Sequence, residues 1–154
     1  MPFIANLYKS AKEKNILAGL IIIDLIAFIS YMIFPAGIIY LGDLQMIIGC
    51  IIGVRFSLKN TKSDQVYIKH GVIVGLGGAI LSAFSMSIFD WIIFSGIYGS
   101  SPSFFTVVIG LFLIEALIVG LIIGLIVGGY YSYKNKIPIE KSSNEKEFYE
   151  SLKR

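Results

Sequence analysis

Two carboxyl side chains interrupt long apolar stretches of this chain: Asp24, within residues 16–34, and Glu115, within residues 104–131. Neither stretch contains a Lys, Arg or His that would pair with them. A charged carboxylate at the middle of a bilayer is costly unless it is neutralised, paired or hydrated. Three chemistries therefore stay open: protonated carboxyls that hydrogen-bond, to each other or within one bundle, a hydrated path for protons or cations, or a contact with another chain. Asp24 lies about 12 Å in from the start of its stretch and Glu115 about 16 Å in from the start of its own, at 1.5 Å per helical residue. In a hydrocarbon core of about 30 Å those depths nearly coincide when the two stretches run in opposite directions.

The other candidates are weaker. Asp43 and Asp90 fall near the opposite ends of their stretches from the basic residues, so that rim carries acid without base, either as a weak attraction for cations or as solvated helix ends. His70 stands alone at an interfacial position, and Cys50 is the sole cysteine, a small apolar filler. No phosphate-binding loop, nucleophile-and-base set or metal-ligand cluster is present, so the reading is a protein that is not an enzyme and holds no cofactor or metal.

The elements that position these groups follow from composition. Of 154 residues, 56% are hydrophobic and 15% charged, against about a quarter charged in soluble domains, so lipid must cover much of the surface. The formal charge of +3 does not point to nucleic acid, because the basic residues lie outside the apolar runs or at their ends. The expected fold is an all-α integral membrane protein with four transmembrane helices at about 16–34, 38–56, 71–94 and 104–131, within a transmembrane domain of residues 16–131. Residues 1–15 read as a cytoplasmic or interfacial segment, and 132–154 as a polar cytoplasmic tail with capping-box spacings at Ser142 and Glu145. Span two is the least secure, since Asp43 interrupts it, and a re-entrant segment is its alternative.

Topology rests on the thirteen Lys and Arg residues, all of which fall on one side of a four-span arrangement. Both termini are then cytoplasmic in a multi-pass protein of the cell membrane. Tyr31, Tyr40, Trp91 and Tyr98 would belong to an outer aromatic belt, and Tyr67, Tyr130, Tyr131 and Tyr133 to an inner one.

Small residues recur at spacings of three or four: Gly49 and Gly53, then Gly71, Gly75 and Gly78, then Gly120, Gly124 and Gly128. Such a glycine zipper lets helix backbones approach closely in lipid, within one bundle or between copies of the chain. Residues 47–60 also align without a gap on 122–135, sharing the frame IIGxIxGxxxSxKN. That match suggests an internal repeat of two parallel helical hairpins. The FPAG turn at 34–37, GVIVGLGGAI at 71–80 and the closing GLIVGGYYSYKN at 124–135 resemble a group of small, glycine-rich, four-span archaeal membrane proteins of unknown function. The resemblance implies an uncharacterised integral membrane protein and assigns no residue a role.

Two functions fit these residues. The first is a structural or assembly component of the bilayer, as a homo-oligomer or part of a larger membrane complex. The second is a small proton or cation channel or transporter using Asp24 and Glu115.

Overall fold

A computed structural model describes residues 2–33, 42–59, 67–99 and 102–151, with side chains described for 15–33, 44–59, 67–99 and 102–134. Among these residues the chain is all helical, with four helices: α1 (Pro2–Ile33), α2 (Gly42–Lys59), α3 (Tyr67–Tyr98) and α4 (Pro102–Ser151). Three are long and apolar enough to cross a membrane, over Asn15–Ile33, Tyr67–Tyr98 and Pro102–Lys134. The 18-residue α2 includes Asp43, Arg55 and Lys59, and extends for about 27 Å alongside α1.

The helices outrun the apolar stretches that suggest them. α1 continues back through the lysine-bearing segment to Pro2, where the sequence suggests a separate surface helix or a lead-in. α3 starts at Tyr67 and ends at Tyr98, where the apolar run alone covers 71–94. α4 runs unbroken to Ser151, well beyond residue 131. Hydropathy marks where lipid contact stops, whereas a helix stops only where its backbone is capped or broken. At the end of α3 that break is Gly99, whose φ of +63° suits a residue without a Cβ and whose N–H donates to the Ser95 carbonyl at 3.2 Å. Pro102 then opens α4 at a position where no N–H is needed.

Four seams join neighbouring helices, α1 to α2, α1 to α3, α3 to α4 and α2 to α4, and α2 also touches α3 across the short diagonal. α1 and α4 occupy the remaining opposite corners and, among the described residues, do not approach each other through their backbones. Glycine sets the closeness of the seams. A Cβ on Gly71 would stand 2.6 Å from the Gly124 carbonyl oxygen, and one on Gly120 would stand 2.7 Å from the Gly75 oxygen, so α3 and α4 meet backbone to backbone. On the other side, Gly49 lies against Ala27 and the Ile23 carbonyl, and Gly53 against Ile23 and Gly19. The spacing of four therefore marks contact surfaces inside the chain.

Aromatic rings close both ends of the α3–α4 pair. Trp91 meets Phe105 and Phe94 meets Phe104 at one end, with centroids 5.8 and 5.0 Å apart, while Tyr67 stacks on Tyr131 at the other. The second of these ends carries Arg55, Lys59, Lys69 and Lys134, and the first carries Asp90.

Candidate functional site

The polar groups of the bundle sort by height. Gly120 faces Gly75 and Gly124 faces Gly71, which sets Glu115 about level with Ile80. Ile23 faces Gly78, which sets Asp24 about level with Ala79. Asp24 and Glu115 thus stand at similar heights, but on helices at opposite corners.

Tyr31 reaches into the space between those corners. It lies seven residues beyond Asp24 on the same face of α1, packs edge-on against Phe89 of α3 and Phe112 of α4, and is 1% exposed. Its hydroxyl donates to Asp90 Oδ1 at 2.6 Å, and Glu115 lies within electrostatic reach of the same hydroxyl. Tyr31 of α1 and Asp90 of α3 are therefore paired in the half of the bundle away from the basic end. This corrects two expectations. Tyr31 does not anchor in a lipid-facing belt, because its ring fills the gap between α1, α3 and α4. Asp90 is not simply a solvated helix end, because it is half-buried and accepts a hydrogen bond from the Tyr31 hydroxyl. Asp43 lies in the first turn of α2; its side chain falls outside the described residues, as does Tyr40.

Asp24 is half-buried one to two turns from this group, and its Oδ1 is buried without a hydrogen-bond partner among the described residues. It shares a helix face with Leu20, which covers Gly77, and with Phe28, which packs on Phe89, so it looks toward the middle of α3. The serines there are engaged with their own helix: Ser82 Oγ donates to the Gly78 carbonyl at 2.9 Å and Ser87 Oγ to the Ala83 carbonyl at 2.6 Å. Glu115 is half-buried and also borders an outward recess of about 290 Å³ between Leu111, Ile114 and Ile118 of α4.

From the level of Asp24 toward the basic end the bundle is closed. Ile23, Cys50, Val54, Val74, Ala79 and Ala116 are all 0% exposed and pack across the four helices, with the Cys50 thiol directed at the Gly75 carbonyl. Beneath that layer, toward the basic end, lie Ser57 and His70, both buried. His70, read from the sequence as interfacial, is buried against the neighbouring helices because α3 begins a turn earlier than the apolar run and carries the imidazole inside.

Among the described residues no three His, Cys, Asp or Glu side chains converge as metal ligands. The Tyr31–Asp90 contact joins residues 59 apart in sequence, so no local spacing announces it. No family model, curated protein or solved structure matches this chain.

Proposed function

We propose that this chain is a non-enzymatic multi-pass membrane protein that works by assembly, as a homo-oligomer or as a small subunit of a larger membrane complex. In this reading all four helices cross the bilayer, as two parallel-repeat hairpins packed through glycine zippers, with the basic end and both termini cytoplasmic. The observation that carries it is the fully buried apolar layer from Ile23 to Ala116, which separates the acidic half of the bundle from its basic end. A layer of close-packed apolar side chains offers a proton or cation nothing to replace its hydration. What the bundle offers other proteins is the long outer face of α4, where Ile114, Ile118 and Leu121 point away from the other helices beside the Glu115 recess.

A second reading, proton or cation movement past Asp24 and Glu115, draws on the buried Asp24 Oδ1 and its position two turns from Tyr31. A flux measurement separates the two. Liposomes reconstituted with the protein should hold a pH or potassium gradient as long as empty liposomes do, and Asp24→Asn should make no difference. A leak that is abolished by Asp24→Asn or Glu115→Gln would replace the assembly reading with the conducting one.

A further inference from the structure

The basic end of the bundle contains a groove that the packing of α1 to α4 leaves open. It has a volume of about 410 Å³ and lies between α2 and α4, which flank it with Ile51 on one side and Ile123, Ile126 and Val127 on the other. That is within the range of ligand clefts, about 300–1,000 Å³. Its mouth is formed by Arg55, one turn beyond Ile51, and Lys134, two turns beyond Ile126, with Tyr130 between them. Both cationic side chains are exposed, and among the described residues neither forms an ion pair. Among the described residues no carboxylate lines the groove.

This order of groups, apolar over two helical turns and then two cations and a phenol, mirrors an acyl chain leading to a phosphate. We propose that the groove binds an anionic phospholipid. Its acyl chain lies along Ile51, Ile123 and Ile126, and its phosphate accepts hydrogen bonds from the Arg55 guanidinium and the Lys134 ammonium. Arg supplies a planar pair of donors and Lys a mobile point charge, a combination suited to a phosphate with no fixed orientation. Basic pockets between membrane helices recognise lipid headgroups by this means. A soluble phosphate would satisfy the cations but leave the isoleucine floor unused; a zwitterionic lipid would fill the floor but present a positive group beside two cations. Lipid binding here needs only the basic end of the bundle at a membrane surface, so it stands or falls separately from assembly.

Native mass spectrometry of the purified full chain, offered equal phosphatidylglycerol and phosphatidylcholine with the same acyl chains, tests it. Two basic groups, each contributing about fivefold, predict a preference for the anionic lipid of about twenty-fivefold. Arg55→Gln with Lys134→Gln should bring that preference near parity, whereas Lys59→Gln with Lys69→Gln, which removes the same charge from the same end, should preserve it. Ile126→Trp, which fills the groove from an exposed position, should weaken retention of both lipids. Equal losses in the two double variants would mean general attraction to a basic surface and overturn the site. Displacement of the lipid by millimolar inorganic phosphate would also overturn it, in favour of a soluble anion.

Discussion

Replacing Gly124 by Leu is expected to destabilise the folded protomer by about 3 kcal/mol or more, the upper part of the range for overpacked cores. A Cβ at this position would stand 2.7 Å from the Gly71 carbonyl oxygen and 2.9 Å from the Val72 Cα. Both are backbone atoms of α3, so no side-chain rotation relieves the contact and the two helices must separate. Separation also loosens Gly75 against Gly120 and Gly71 against Gly128, which belong to the same seam. Two other glycines provide the contrast. A Cβ on Gly129, five residues further along α4, would meet nothing within 4 Å, and one on Gly77 would meet only the side chain of Leu20, whose Cδ2 tip can turn aside. Thermal unfolding in detergent should therefore rank Gly124→Leu far below wild type, with Gly129→Leu and Gly77→Ala close to it. Because the seam lies within one chain, loss of an oligomer in Gly124→Leu would follow from loss of the fold.

Tyr31→Ala should cost about 3–5 kcal/mol, the range for removing a buried aromatic ring. The ring is held edge-on by Phe89 and Phe112, and its removal opens a void where α1, α3 and α4 meet while Asp90 loses its donor. Tyr31→Phe keeps the ring and removes only the hydroxyl, so it should cost about 0.5–1.5 kcal/mol, as hydrogen bonds between membrane helices do. A double-mutant cycle of Tyr31→Phe with Asp90→Asn, read by unfolding in detergent, should give a coupling of about 1 kcal/mol. A coupling near zero would mean that the 2.6 Å contact contributes nothing to stability.

These two sites show how differently the parts of the molecule can be read from its residues. Apolar runs of bilayer length suggest helices at the right places, because the alternatives are few when backbone groups must be satisfied away from water. Their ends are harder to place: Tyr67, Lys69 and His70 are polar or interfacial in type yet helical, and the break after α3 falls at Gly99 when Gly96 offers the same composition. The glycine spacing marks contact faces, since only a residue without a side chain permits such approach, but it does not say which helix lies opposite. That depends on the lateral order of the helices, which places Gly71 and Gly75 on α4 and Gly49 and Gly53 on α1. Asp24 and Glu115 stand out by type alone. The partner of Asp90 does not, because Tyr31 reads as an interfacial aromatic until the register of α1 against α3 brings its hydroxyl to Asp90.

Assembly assigns the α4 outer face to a partner and leaves the bundle interior to packing. Cysteine crosslinking in native membranes tests this most directly, in a Cys50→Ala background, with single cysteines at Ile118 and Leu121 of α4 and, for comparison, at Ile29 and Ile33 of α1. All four positions are exposed on the bundle. A discrete crosslinked species from Ile118 and Leu121, absent from Ile29 and Ile33, is the predicted result. An α4 that remains uncrosslinked, or crosslinks no more than α1 does, would contradict assembly through this face.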